Sequence, residues 1–226
     1  MAGVFTGLIG RVASAHLGDE VAKCRDVANP AACAQQAEDL WYLRHEALVK
    51  RNKNGLDLVL RGGKTHRLKN DSDENKADNW VTYDFYAYLK EIDSFLIREN
   101  YYEGGAFSLI DRKYGGRMKI DELPLFSPKL DHFVTTSICD AYCPYRIQIW
   151  KHTADGWFEM VWSFRPYEYW AGAKTVWLNN QTIKVVKQVR EEADDPRSRY
   201  VERTFFIKLD AVGWSISNSP TTTTKQ

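Results

Sequence analysis

Four cysteines are the residues whose type and spacing most directly indicate chemistry in this chain. They fall into two close pairs, Cys24 with Cys33 and Cys139 with Cys143. Closely paired cysteines in even number favour local disulfides, which persist in the periplasm or outside the cell. Reduced thiols and a zinc site are the alternatives, but structural zinc sites favour gaps of about two to four residues within a ligand pair, and the first pair is wider. The sequence therefore predicts two disulfides.

The other reactive side chains lack the spacing of a catalytic or metal centre. The five histidines are scattered without an H-E-x-x-H pattern, and no serine lies in a G-x-S-x-G elbow. Two carboxylate pairs, Asp121-Glu122 and Asp194-Asp195, lie in predicted turns, where acidic side chains are usually solvated. We therefore expect no catalytic residue, no metal and no cofactor, and the sequence favours a binding protein over an enzyme.

Charge and hydropathy exclude two classes of partner. Lysine and arginine total 31 against 30 acidic residues, so no net field would draw the chain to nucleic acid or to an anionic membrane. A basic run from Arg44 to Lys69 is interpreted as a solvated face that the acidic loop at 71–78 neutralises. No apolar run reaches about 18 residues, so no transmembrane span is predicted. The opening "MAGVFTGLIGRVASA" is explained equally by the end of a secretory signal and by an ordinary small-residue segment.

The elements that position these side chains divide the chain into three parts. Residues 1–54 are predicted to be a helical element, with helical spacing from Asp19 to Arg51 and Gly55 as its stop. Residues 55–216 contain short β segments with turns between them, including a hairpin with a primed two-residue turn at Gly62-Gly63. Residues 217–226 are predicted to be a disordered tail.

The expected fold class is therefore mainly β. We expect an antiparallel meander of blade-like sheets, arranged as a sandwich or a partial propeller, with the N-terminal helical element attached. In this arrangement Phe133 and Trp150 are predicted to be core residues of adjacent strands.

One stretch resembles a known family of folds. The segment "LPLFSPKLDHFVTTS", followed by "IQIWK", resembles the repeats of bacterial propeller proteins, in which a Phe-Ser-Pro-Asp-Gly turn leads into an apolar strand. The resemblance covers residues 95–152, occurs in one clear copy, and lacks the glycine of that turn. It implies a scaffold of blade-like sheets, and it implies no particular activity.

Aromatic side chains form the predicted contact surface. Alternation in "YDFYAY" places Tyr86 and Tyr88 on one face of a strand, opposite Phe85. The segment "FRPYEYW" adds a second group in a loop, which is Tyr167, Tyr169 and Trp170. Exposed tyrosine and tryptophan are enriched at protein interfaces and on sugar platforms, and core packing of these residues is the competing interpretation.

Together these features favour a non-catalytic, periplasmic or secreted protein-binding module. An inhibitor or immunity-type protein of a cell-envelope enzyme is one form that such a module takes. The alternative is a carbohydrate-binding or glycoside-processing protein that uses the exposed aromatic loops. A purely structural component of the envelope is a third hypothesis.

Overall fold

The computed structural model describes residues 17–25, 28–71, 80–137, 145–153, 155, 157–167, 170–192 and 197–218. Two helices come first, α1 (Leu17–Ala22) and α2 (Pro30–Arg44). Asn29 caps α2, because its side chain accepts a hydrogen bond from the backbone N–H of Ala32. Pro30 occupies the first helical turn, where its missing N–H leaves no hydrogen bond unmade.

The strands that follow form four antiparallel sheets, and in each sheet sequential strands lie side by side. The first sheet holds β1 (Val49–Asn52), β2 (Gly55–Val59) and β3 (Thr65–Lys69). The second sheet holds β4 (Val81–Leu89), β5 (Ser94–Tyr101), β6 (Gly104–Asp111) and β7 (Arg117–Ile120). The third sheet holds β8 (Leu125–Phe126), β9 (His132–Ser137), β10 (Arg146–His152) and β11 (Phe158–Phe164). The fourth sheet holds β12 (Gly172–Asn179), β13 (Thr182–Arg190), β14 (Tyr200–Leu209) and β15 (Trp214–Ser217).

The hydrophobic core lies between successive sheets. One cluster joins the first and second sheets with Trp41 of α2, and it includes Leu58 and Phe85. A second cluster joins the second and third sheets around Phe133. A third joins the third and fourth sheets around Ile149. Each sheet therefore buries a face against the next one along the chain, and the predicted antiparallel, mainly β meander is confirmed.

The helical element ends earlier than its sequence pattern predicted. Helix α2 stops at Arg44, and residues 49–52 form β1, which pairs with β2. Gly55 is therefore not a helix stop. It begins β2 with φ of 138°, and a Cβ there would lie 1.9 Å from the backbone oxygen of Leu68. Because this hairpin spans residues 49–59, the boundary drawn between residues 54 and 55 falls inside the first sheet.

The predicted hairpin around the two glycines is present, but its turn differs. Val59 pairs with Thr65, and the N–H of Leu60 donates to the carbonyl of Lys64 at 2.8 Å. Three residues, Arg61–Gly63, therefore make the turn instead of the predicted two. Both glycines have positive φ, 78° at Gly62 and 81° at Gly63, which explains why glycine occupies both positions.

One predicted disulfide is present in the structure. Cys24 and Cys33 are bonded, with their Cα atoms 5.5 Å apart, and the bridge joins the residues after α1 to the first turn of α2. Cys139 and Cys143 lie outside the described residues, as do most of the acidic loop and the predicted tail from residue 219 onward. In the described part of the chain, neither helix is long and apolar enough to cross a membrane.

The predicted placement of Phe133 and Trp150 on adjacent strands of the third sheet is confirmed. Phe133 of β9 lies opposite Trp150 of β10, and their rings stack with centroids 5.8 Å apart. Phe133 has no exposed surface, and Trp150 packs half-buried against the same cluster.

The turn before β9 holds a leucine in a backbone conformation that favours glycine. Leu130 has φ of 61°, and it is the fifth residue counted from Phe126 as the first, the position at which the Phe-Ser-Pro-Asp-Gly pattern has its glycine. The turn is held by Ser127, whose hydroxyl donates to Asp131 Oδ1 at 2.7 Å and accepts from the N–H of His132 at 3.1 Å. Left-handed backbone costs a non-glycine residue about 1–2 kcal/mol, so the turn holds Leu130 at a cost.

Replacing Leu130 with glycine should therefore stabilise the protein. Removing the strain stabilises the folded state by more than the added chain entropy of glycine stabilises the unfolded state. We therefore expect the free energy of unfolding to rise by about 0.5–1 kcal/mol. Lys129→Gly, at the neighbouring position, is the matched control and should lower it by up to about 1 kcal/mol. Urea denaturation measures both variants. Equal destabilisation by the two substitutions would contradict the strain at Leu130.

Candidate functional site

A β-bulge separates the two tyrosines that were predicted to share a face. The register of β4 against β5 shifts between Phe85 and Ala87, so Tyr86 is the extra residue. A one-residue shift moves every later side chain to the opposite face. Tyr86 is buried and contacts the ring edge of Phe107, whereas Tyr88 packs half-buried on the other face beside Phe85. These two tyrosines therefore do not form one exposed surface.

The second aromatic group is also divided. Tyr167, three residues beyond the end of β11, is fully exposed. Trp170 is 1% exposed and packs against Tyr145 and Phe205 in the core between the third and fourth sheets. Tyr169 lies outside the described residues. Of the predicted contact residues that the structure describes, Tyr167 is the one with a fully exposed side chain.

An edge strand beside Tyr167 has the features of a docking surface. Strand β11 is seven residues long, contains no lysine or arginine, and pairs with β10 on one side, with no partner strand on its other side among the described residues. Unpaired backbone N–H and C=O groups along such an edge are a template for a strand from another chain. Natural proteins protect their edges with charges, short strands, bulges or covering segments.

The long edge of the second sheet is closed by neighbouring groups. The N–H and C=O of Val81 both bond to the backbone of Asp71. The N–H of Tyr83 donates to Asn70 Oδ1 at 3.2 Å, and its carbonyl accepts from Arg51 at 3.3 Å. Val81 and Tyr83 are alternate residues of β4, and their backbone N–H and C=O groups point away from β5. The first half of this edge is therefore occupied.

Helix α2 closes the next position of the same edge. The N–H of Phe85 donates to the hydroxyl of Tyr42 at 3.0 Å, and the indole N–H of Trp41 donates to the carbonyl of Phe85 at 3.2 Å. Burial raises the pKa of Tyr42 to about 12, so its hydroxyl stays protonated at neutral pH. The α2 side chains thus replace the strand that would otherwise pair with β4.

The remaining edges of the four sheets are short or carry cations. Strands β8 and β15 have two and four residues. Strands β1, β3, β7 and β12 each contain lysine or arginine. Strand β12 also lies against the third sheet, because the indole of Trp177 donates to the carbonyl of Leu125 at 2.8 Å. Among the described sheets, β11 is the long edge without lysine or arginine and without such a cover.

A second bulge shapes this edge. The register of β11 against β10 shifts between Met160, which pairs with Trp150, and Trp162, which pairs with Ile149. Val161 is the extra residue, and both Met160 and Val161 are exposed, at 47% and 36%. Regular alternation would turn neighbouring side chains to opposite faces. The bulge therefore places two adjacent apolar side chains in solvent, and bulges are common beside functional sites.

A cavity of about 270 Å³ opens where β11 ends. Its apolar walls include Phe164 of β11, Trp170, and Phe205 of β14. Lys187 of β13 and Arg203 of β14 also line it, and they lie directly opposite each other in the β13–β14 register. The cavity thus combines aromatic walls with two cationic side chains.

A second, more polar cavity of about 370 Å³ lies beside the Ser-Pro turn. Its lining includes Lys129, Asp131, His132 and Asn180. The N–H of Lys129 donates to Asn180 Oδ1 at 2.9 Å, which ties the turn before β9 to the turn after β12. Burial would raise the pKa of Asp131, but the hydrogen bond from Ser127 and the imidazole of His132, whose Nδ1 lies 3.2 Å from Asp131 Oδ1, lower it overall. The polar groups that line this cavity therefore bond to one another and connect the turn before β9 with the turn after β12.

A buried carboxylate lies on the second sheet, on the face that packs against the first sheet. Glu99 has no exposed surface and accepts hydrogen bonds from Tyr101 and Ser108, and Arg117 Nη2 lies 2.7 Å from its Oε1. Burial would raise the pKa of Glu99, but the bonds from Arg117, Ser108 and Tyr101 lower it overall. Ser108 is also completely buried, whereas the side chain of Arg117 is 36% exposed, so the network stabilises the fold from a buried carboxylate out to the surface.

Several cations of the basic run pair with acidic residues outside the predicted acidic loop, most of which lies outside the described residues. Arg67 makes two hydrogen bonds to Asp57 on the neighbouring strand, at 2.7 and 3.2 Å. Arg61 pairs with Asp93, and Arg51 pairs with acidic groups on α2 and β4. The solvated interpretation of these cations is therefore compatible with the structure, and their partners lie 10 to 33 residues away along the chain. No three His, Cys, Asp or Glu side chains among the described residues are arranged to hold a metal ion.

Sequence reasoning missed Glu99 and the cavity at the end of β11. Alternation gave a signal for Glu99, because it follows Phe95 and Ile97 at every second position and so faces the core. The cavity gave none, since Lys187 and Arg203 meet only through the pairing of β13 with β14. Comparisons of this chain with family models, with curated proteins and with solved structures find no match.

Proposed function

We propose that this chain is a non-catalytic protein-binding module that accepts a strand of its partner on the open edge of β11. The carrying observation is the contrast among the edges: β4 is occupied by side chains and by Asp71, while β11 is long, lacks lysine and arginine, and exposes Met160 and Val161. Addition of a strand to an exposed sheet edge is a common mode of peptide recognition, in which main-chain hydrogen bonds supply affinity.

The side chains of β11 predict the properties of the partner segment that would bind it. It is extended, it presents apolar side chains to Met160 and Val161, and it carries a cation near Glu159, the one charged residue of β11. Tyr167, which is fully exposed just beyond the strand, extends the surface as an aromatic anchor. Specificity then comes from these side chains, because the backbone bonds are the same for every sequence.

The proposal includes a compartment and a kind of partner. The Cys24–Cys33 disulfide supports a periplasmic or secreted location, since such bonds persist where the environment is oxidising. In its specific form the partner is an envelope enzyme, and the module is its inhibitor or immunity-type protein. The blade-like resemblance supports a partial propeller as the scaffold that presents β11.

A charge placed on the edge should weaken docking. Val161→Lys adds a cation in the middle of β11, and we expect the dissociation constant for the partner captured from cell-envelope extract to rise at least about tenfold. Val176→Lys on β12 is the matched control, because Val176 is exposed to a similar extent, 42% against 36%. Biolayer interferometry with the purified partner measures both.

Equal binding by Val161→Lys and the unchanged protein would refute docking on β11. Equal weakening by both lysine variants would show a general charge effect and would refute it as well. The specific form is tested on the same complex: an enzyme partner should lose activity when the module is added and keep it when Val161→Lys is added. Binding to a glycan array that survives Val161→Lys would support the carbohydrate alternative instead.

A further inference from the structure

The third sheet ends one strand short of the fourth sheet beside β11. The two sheets run in the same order, since Trp177 of β12 bonds to Leu125 of β8 at the far edge. At the near edge Phe164 of β11 contacts Phe205 of β14 edge to face, with ring centroids 6.3 Å apart, so β11 lies over β14. Strand β15 comes next, and among the described strands it pairs with β14 alone. A fifth strand added beside β11 would therefore lie over β15.

Strand β15 exposes an apolar side chain at the place where this fifth strand would lie. Ile216 is opposite Ile207 of β14 in the register, so both side chains point toward the third sheet. Ile207 has no exposed surface, whereas Ile216 is 42% exposed. The other end of β15 is covered, because Trp214 contacts the ring of His132 at a centroid distance of 5.5 Å. The inner face of the fourth sheet is thus left uncovered at Ile216.

The cavity of about 270 Å³ lies between Ile216 and the end of β11. Trp170 and Phe205, which are 1% and 6% exposed, form its base, and the exposed residues Ile216 and Asn218 line its opening. The volume is below the range of about 300–1,000 Å³ that is usual for small-molecule sites. Because Phe164 and Phe205 touch each other, the space left is on the side of Ile216. It suits a side chain better than a whole small molecule.

We propose that the partner strand docked on β11 presents an apolar side chain to Ile216 and closes this cavity. The inference rests on the proposed docking function and adds the side chains that the partner must carry. Neighbouring residues of a strand point to opposite faces, so every second side chain of the docked strand faces the fourth sheet. Pockets for alternate side chains give such strand addition its specificity. The partner is an extended segment with large aliphatic residues at these positions and a cation at the end beside Glu159.

Two heptapeptides test this contact by titration into protein with ¹³C-labelled isoleucine methyl groups. The first, acetyl-Lys-Thr-Leu-Thr-Leu-Thr-Lys-amide, has leucine at two alternate positions, and the second has threonine in their place. We expect the leucine peptide to bind at least about tenfold more tightly and to shift the Ile216 δ1-methyl signal saturably. Ile216→Ser should reduce the difference between the peptides to less than about threefold. Val212→Ser, at a 98% exposed side chain in the turn before β15, is the matched control and should leave the difference unchanged.

Val161→Lys on the edge of β11 separates this inference from the docking function. It should weaken the leucine peptide at least about tenfold, while Val176→Lys should not. If Val161→Lys weakens the peptide but Ile216→Ser keeps the leucine preference, or the Ile216 methyl signal does not move, the contact with Ile216 is overturned and docking on β11 stands. If Val161→Lys has no more effect than Val176→Lys, or neither peptide binds up to about 10 mM, docking on β11 is overturned and this inference with it.

Discussion

Replacing Phe133 with alanine is expected to lower the free energy of unfolding by about 3–5 kcal/mol, the usual cost of deleting a fully buried aromatic side chain. Phe133 has no exposed surface and contacts the rings of Phe126, Trp150 and Phe158, at centroid distances of 5.4, 5.8 and 4.9 Å. These neighbours lie on strands of the third sheet, whose hydrogen bonds keep them from moving together to fill the cavity that alanine would leave. Urea denaturation followed by circular dichroism measures the loss.

The control for this substitution is Tyr167→Ala. Tyr167 is also aromatic but is fully exposed, so its removal should change the free energy of unfolding by less than about 0.5 kcal/mol. A loss below about 1 kcal/mol at Phe133 would mean that the second and third sheets do not pack around this ring.

The second large effect concerns the buried carboxylate. Glu99→Gln keeps the size of the side chain but removes the charge that Arg117, Ser108 and Tyr101 bind. Hydrogen bonds to a buried charge contribute about 1.5–3 kcal/mol, so we expect a loss of about 2–3 kcal/mol at neutral pH. Glu103→Gln, the same change at an exposed turn, should cost less than about 0.5 kcal/mol.

The effect of Glu99→Gln should depend on pH. The pKa of Glu99 is lower in the folded protein than its ordinary value of about 4.3 in an unfolded chain. Its stabilising contribution is therefore present above that value and is lost as the pH falls through the folded pKa. The stability difference between the two proteins should be largest above about pH 5 and shrink in more acidic solution. A difference that stays constant or grows on acidification would contradict the charged, hydrogen-bonded state of Glu99.

Much of the fold follows from local patterns in the sequence. Alternation and turn residues predicted the antiparallel strands, the hairpin around Gly62-Gly63 and the placement of Phe133 and Trp150 on adjacent strands. The predicted end of α2 was wrong because residues 49–52 pair with β2. This pairing outweighs the helical spacing of their sequence. That pairing is a tertiary contact, and helix propensity does not contain it.

The candidate site could be predicted less well than the fold, because it depends on bulges and on pairing between distant strands. Single extra residues at Tyr86 and Val161 reverse the faces of the side chains that follow them, and no local signal marks either position. The occupied edge of β4 likewise depends on Tyr42, whose hydroxyl accepts from the N–H of Phe85, 43 residues further along the chain. What distinguishes β11 from the other edges is visible only once all four sheets are assembled.

Amide hydrogen exchange of residues 158–164, with and without the captured partner, tests docking on β11 most directly. In an antiparallel pair about half of the amides of an edge strand face away from its neighbour. These outward amides should exchange rapidly in the free protein, and slowly in the complex, because they would donate to the added strand. Val176→Lys should keep this protection in the complex. Unchanged exchange across residues 158–164 in a complex that is fully formed would contradict the proposed docking edge.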